Sequence, residues 1–255
     1  MDVGMLGRFF NRHTGGNWRP AAQEIAFASS AGFDTLQIQG RRPGELEDEL
    51  GIDAAELGAL FDDAGVEPAL EMLVRHEGEP GTFARALRAN LAAIDAIGFL
   101  RVHIHPVGGP EGLPHLVDDY REALAVAEDA GLVFGAEHNA PGHTLLVELD
   151  DVERLLEAVP GLGLIWDINH TRPEDVERFL GWRERITLVH VSDTPLPETN
   201  HHLPLGRGSV DLSALRGFDD VPLVLEIGGL PHSGGPGLDT DEALLDSLAV
   251  LRAAE

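Results

Sequence analysis

Short apolar runs recur along the chain and predict eight strands: Val3–Leu6, Thr35–Gln39, Pro68–Leu73, Leu100–His105, Val133–Glu137, Gly163–Asp167, Thr187–Val191 and Pro222–Glu226. Between them apolar positions repeat at three- and four-residue steps, the period of a helix with one buried face. Thr82–Ile97 shows it through Phe83, Leu87, Leu91 and Ile94, and Leu116–Ala130 through Leu116, Tyr120, Leu124 and Ala127. Asp53, Asp150 and Asp241 stand where helix N-caps are expected. Gly32, Gly65, Gly98 and Gly131, each 33 residues beyond the last, separate a helical stretch from an apolar run. A glycine there ends a helix in the left-handed conformation without a Cβ penalty. The repeating unit is therefore helix, glycine, strand.

Eight such strands in 255 residues predict an α/β fold, a single-domain (β/α)8 barrel over residues 1–255. The alternative, a doubly wound dinucleotide-binding sheet, lacks a G-x-G-x-x-G after the first strand. Gly228–Gly237 is expected to be the loop after the last strand, and Asp241–Ala253 the helix that closes the barrel.

Residues two apart on a strand share a face. Thr35/Gln37/Gln39, Arg101/His103/His105, Gly135/Glu137, Ile165/Asp167, Leu188/His190 and Val224/Glu226 are predicted to point into the barrel. Leu36/Ile38, Val102/Ile104, Phe134/Ala136, Leu164/Trp166, Val189/Val191 and Leu223/Leu225 are predicted to pack beneath the helices. His105, Glu137, Asp167, His190 and Glu226 all fall at the carboxyl ends of their strands, the barrel mouth where active sites form. Three carboxylates brought together there and buried unpaired would be costly.

Composition narrows what could neutralise them. All 18 basic residues are arginine, so lysine Schiff-base chemistry is excluded, and with no cysteine so are thiolate metal sites and disulfides. The expected counter-charge is a divalent cation, and three oxygen donors with one imidazole suit manganese, cobalt, magnesium or zinc. The net charge of −26 argues against nucleic-acid and membrane partners and points to a halophilic protein whose self-repulsion salt screens. No signal segment leads the chain and no apolar run reaches membrane-spanning length, so a cytoplasmic protein is expected, compatible with a homo-oligomer. Phe9, Phe10 and Trp18 could wall the pocket or serve as packing residues.

Five fragments carry a family resemblance: Ala136-Glu137-His138-Asn139, Trp166-Asp167-Ile168-Asn169-His170, His190-Val191-Ser192-Asp193, Pro204-Leu205-Gly206-Arg207-Gly208 and Val224-Leu225-Glu226. In this order and placement the chain resembles the xylose-isomerase-like barrel superfamily of sugar isomerases and epimerases, inosose dehydratases and apurinic endonucleases. The resemblance implies one metal held by Glu137, Asp167, His190 and Glu226, with Glu137 and Glu226 also acting as acid and base. It implies substrate contacts from His170 and from Arg207, the latter on a loop over the pocket. The reaction implied is isomerisation or epimerisation of a small sugar, sugar phosphate or polyol through a metal-stabilised enediolate. Gln37 stands where many family isomerases carry glutamate, and an amide cannot be a base.

Two rival activities share this site. A phosphodiesterase like the apurinic endonucleases would recruit His105, His170 and His202, with His76 a further candidate, for a second metal; Asn200 stands where those enzymes place an aspartate ligand. A dehydratase of the inosose or dehydroshikimate type would use the same metal and expel a hydroxyl. Asp193 is expected either to orient His190 or to cap the next turn, and the sequence leaves open whether His201 or His202 faces the site.

Overall fold

The computed structural model describes residues 1–9, 16–40, 42, 44, 46–228 and 237–254. Phe10 and most of the Gly228–Gly237 loop lie outside these residues. Eight parallel strands pair in sequence order, and the last pairs with the first to close a barrel. They are β1 (Val3–Leu6), β2 (Thr35–Gly40), β3 (Glu67–His76), β4 (Arg101–Gly108), β5 (Val133–Glu137), β6 (Gly163–Asp167), β7 (Ile186–Val191) and β8 (Leu223–Leu225). The helices are α1 (Ala21–Ala31), α2 (Leu46–Leu50), α3 (Ala54–Ala64), α4 (Thr82–Ile97), α5 (Leu116–Asp129), α6 (Leu149–Ala158), α7 (Val176–Gly181) and α8 (Asp241–Ala253). The expected architecture and all eight strands are present. β3 and β4 run three residues past their predicted ends, and Glu226 lies one residue beyond β8.

The four evenly spaced glycines adopt φ of 85°, 65°, 86° and 72°, as a left-handed helix terminus requires. Of the three expected caps, Asp53 accepts from Ala55 and Glu56 N–H. The other two expectations are corrected. α6 is preceded by Glu148, and Asp150 instead faces Arg178 at 3.0 Å. α8 is capped by Thr240, because Asp241 is taken by Arg8 and Arg19. Arg8 is buried against Glu24 of α1 as well, so one guanidinium ties β1 to the first and last helices.

Two separate apolar regions carry the fold. The outward strand residues, Leu36, Ile38, Val102, Ile104, Phe134, Trp166, Val189 and Leu225 among them, join the helix faces in one core around the barrel. Inside the barrel, Ala69, Ile165, Leu188 and Val224 form a small apolar plug. Each plug residue is followed two positions later by a polar group: Glu71, Asp167, His190 and Glu226. The period of two thus stacks a polar layer directly on an apolar floor. Gly135 makes room for that floor, since a Cβ there would run into Ile165 Cδ1. Gly135→Ala is expected to destabilise the fold by about 1–3 kcal/mol through overpacking, read as a lower denaturation midpoint; an unchanged midpoint would show that the floor is loosely packed.

Candidate metal centre

Each member of the polar layer is positioned by local chemistry. Trp166, on the outer face of β6, stacks on Phe179 with ring centroids 5.3 Å apart, and its Nε1 donates to Thr171 Oγ1 at 2.9 Å. Thr171 in turn donates to the Asp167 carbonyl at 2.8 Å, folding the chain into a tight turn after the strand. Asp167 Oδ1 accepts the Asn169 N–H at 2.8 Å, which leaves Oδ2 directed into the barrel. Asp167 and His190 are register partners on β6 and β7.

The four residues converge. Ligand atoms of Glu137, Asp167, His190 and Glu226 all lie within 4.8 Å of one another. His190 Nδ1 is 3.2 Å from Glu137 Oε1 and 3.2 Å from Glu226 Oε2. Glu137, Asp167 and His190 are almost fully buried, whereas the Glu226 side chain retains 13% exposure. Glu137 Oε2, Asp167 Oδ2 and Glu226 Oε2 are buried and accept no well-aligned hydrogen bond, their near neighbours being ring nitrogens of His105, His170 and His190 at 3.1, 3.0 and 3.2 Å. Buried acceptors without an aligned donor are expensive. Among the described residues no arginine pairs with any of the three. Such a donor set fits a divalent cation.

Without a cation, protons and imidazolium take over the compensation. Burial pushes Asp167 up to about 6, against the lowering charges of His202 and His190. Burial likewise drives Glu226 well above the carboxylate range. For His190 burial acts downward, but Glu226 and Glu137 raise it to about 10. Burial would raise Glu137, yet the charges of His105 and His190 hold it well below its ordinary value.

The remaining candidates divide. His105 Nδ1 is 3.1 Å from Glu137 Oε2 and keeps 12% exposure. His170 Nε2 is 3.0 Å from Asp167 Oδ2, and its ring is pushed down to about 3 by burial and by the charge of His202. His202, not His201, turns inward. Its Nδ1 contacts the Glu226 carbonyl at 3.1 Å and its Nε2 the Asn200 Oδ1 at 2.9 Å, while His201 faces Glu198. Asn169 holds this loop, accepting the His201 and His202 N–H groups on Oδ1. Asp167, His170 and His202 also offer ligand atoms within 4.8 Å of one another.

Arg207 is exposed on its turn and belongs to none of these groups. Asp193 does not orient His190; its carboxylate accepts N–H groups from Thr194, Gly206, Gly208 and Val210 and so fixes the turn that carries Arg207. His76 is corrected as a metal candidate, because it is buried against Asp119 and accepts from Gly78 N–H, tying the loop after β3 to α5. Trp18 donates to the Phe9 carbonyl at 3.0 Å and keeps 43% exposure. One buried acid beside the cluster escaped sequence reasoning. Glu71, in the apolar run of β3, is buried among Gln37, Gln39 and His105. An acid inside an otherwise apolar strand was the available signal.

Comparison with known proteins places this geometry in context. The family model described as xylose isomerase-like TIM barrel matches residues 25–254. No curated protein matches the chain by sequence. A D-allulose 3-epimerase from Methylomonas sp. superposes with a TM-score of 0.78 at 18% identity, over 100% of this chain and 98% of its own. A structure of IOLI protein with a binding zinc atom gives 0.72 at 19%, over 99% and 97%. The probable 3-DHS dehydratase AsbF from Bacillus anthracis, involved in petrobactin synthesis, gives 0.72 at 18%, over 99% and 99%. At these identities the likeness is one of fold. No helix among the described residues is long and apolar enough to cross a membrane.

Proposed function

The chain belongs to the xylose isomerase-like TIM barrel family, and from that premise we propose that it is a divalent-metal-dependent isomerase or epimerase of a small keto sugar, sugar phosphate or polyol. The observation that carries the reading is the group of four ligand residues with ligand atoms within 4.8 Å, three of them with a buried oxygen that accepts no aligned hydrogen bond. Glu137, Asp167, His190 and Glu226 would hold manganese, cobalt, magnesium or zinc. A bound divalent cation supplies counter-charge to the carboxylates and Lewis-acid polarisation of a substrate carbonyl.

The chain's own residues do the proton work. Glu137 ends β5 and Glu226 follows β8, with β6 and β7 between them around the barrel. Two carboxylates set apart in this way can reach opposite faces of a substrate, one removing the proton beside the carbonyl and the other returning one. Glu226 and His105 keep partial exposure and mark the side from which a substrate enters. His170 would meet substrate oxygens, and Arg207 would reach a carboxylate or phosphate only from the rim. The acidic surface, in the same reading, suits a saline medium.

Protein loaded with manganese is expected to bind one ion per chain. In deuterated water it should convert a keto sugar to its epimer with one deuterium at the inverted carbon. Loss of water from the product would favour the dehydratase instead. Failure to exchange any carbon-bound proton across a panel of keto sugars, sugar phosphates and polyols, with the ion bound, would overturn the proposal. Further ligand groups, Asp167 with His170 and His202 and Glu71 with His105 and Glu137, favour phosphodiester hydrolysis. Against it, both ring nitrogens of His202 are already engaged. Two or more ions per chain, together with nicking of abasic DNA, would move the assignment there.

A further inference from the structure

The ligand group rests on a row of polar side chains that the proposed chemistry does not use. His190 Nε2, the ring nitrogen facing away from the carboxylates, lies 2.9 Å from Gln37 Oε1. The Gln37 amide nitrogen donates to Glu71 Oε2 at 2.9 Å. Glu71 Oε1 accepts from Gln39 Nε2 at 3.1 Å and lies 3.5 Å from His105 Nδ1. Gln37, Glu71 and His190 are essentially closed to solvent.

The directions of these bonds are determined by chemistry. A carboxylate accepts and cannot donate, so Glu71 forces the Gln37 amide to present its nitrogen on one side and its oxygen on the other. The oxygen then accepts only from a protonated His190 Nε2. That leaves Nδ1, the atom 3.2 Å from Glu137 and Glu226, as the nitrogen free to exchange its proton for a cation. Glu71 accepts from the Gln37 amide on one oxygen and from the Gln39 amide on the other, so it anchors the row.

We propose that Gln37 and Glu71 are positioning residues that hold His190 for metal ligation through Nδ1, with Glu71 setting the Gln37 amide and Gln37 setting the ring. The inference rests on the metal-site reading above. It also accounts for an amide on β2: glutamine can accept from His190 and donate to Glu71 together, whereas a carboxylate beside Glu71 would only repel it.

The test is a set of variants titrated with zinc against a competing chelator, with nitrogen-15 NMR of the histidine rings. Gln37→Leu should weaken zinc binding about 10- to 100-fold. Gln37→Glu and Glu71→Gln should each weaken it, the first by repulsion and the second by freeing the amide. The exchange Gln37→Glu/Glu71→Gln should restore binding to within a few-fold, because the acceptor and donor have only changed places. In zinc-loaded wild type the His190 signals should report ligated Nδ1 and protonated Nε2. Wild type that binds no zinc would overturn the metal-site reading and this inference with it. Tight zinc in wild type with unchanged affinity in Gln37→Leu, or ligation through Nε2, would overturn the inference alone. An exchange variant that folds yet binds no better than the single variants would do the same.

Discussion

Glu137→Gln is expected to fold as the wild type does and to lose turnover by about 10²- to 10⁴-fold, the range for removal of a general acid or base. The amide keeps the shape of the side chain, so the apolar floor of Ala69, Ile165, Leu188 and Val224 is undisturbed. It cannot take up a proton, and it removes one charge from a ligand group whose atoms lie within 4.8 Å of one another. Cation affinity should therefore fall together with turnover. Circular dichroism, a metal titration and the deuterium-exchange assay measure the three quantities separately. A variant with wild-type turnover would remove Glu137 from the mechanism.

The second large effect is on stability. The metal-free protein should lose stability as pH rises from about 6.5 to 10. His190 is raised to about 10, since Glu226 and Glu137 overcome the opposing effect of burial, so the folded state retains a proton that the unfolded chain has released above pH 6.5. A raised histidine contributes fully below the unfolded value, and the contribution is gone above the folded one. His105, where Glu137 and Glu71 likewise outweigh burial, acts in the same direction. Glu226, raised well above the carboxylate range by burial, acts in the same direction, whereas Asp167, raised to about 6, gives up its contribution below this range. Each proton is worth about 1.4 kcal/mol per pH unit across its window. For His190 the fall is of order a few kcal/mol, read as a drop of several degrees in Tm for a chain of this size. A saturating divalent cation takes the place of the His190 proton and should flatten the curve. Thermal melts in chelator and in excess magnesium across this range check both statements. A flat or rising metal-free curve would contradict the charge arrangement.

Much of the barrel was legible because its signals are local. Alternation within a strand and the three-to-four spacing within a helix need no knowledge of neighbours, and the four glycines punctuate both. The same alternation, carried to the strand ends, found His105, Glu137, Asp167, His190 and Glu226 in matching positions, and the family resemblance singled out the last four. It failed where a residue's role depends on its partner. Asp193 reads equally as a support for His190 or as a turn cap, and only the folded loop shows four N–H groups closing on it. His76 reads as a further metal candidate after the third strand until Asp119, 43 positions further along, is seen to occupy it. Asp241 reads as a cap until Arg8 and Arg19 are found to claim it.

The sequence by itself determined the barrel, its inward and outward faces, and the polar side chains, His105 among them, that stand at its strand ends, because each follows from the period of a single strand. The tertiary structure decided who bonds to whom: that Glu71 and Gln37 stand behind His190, that His202 and not His201 faces inward, and that Arg207 stays on the rim. Those pairings depend on the register between strands and on the path of loops, which bring together residues tens of positions apart.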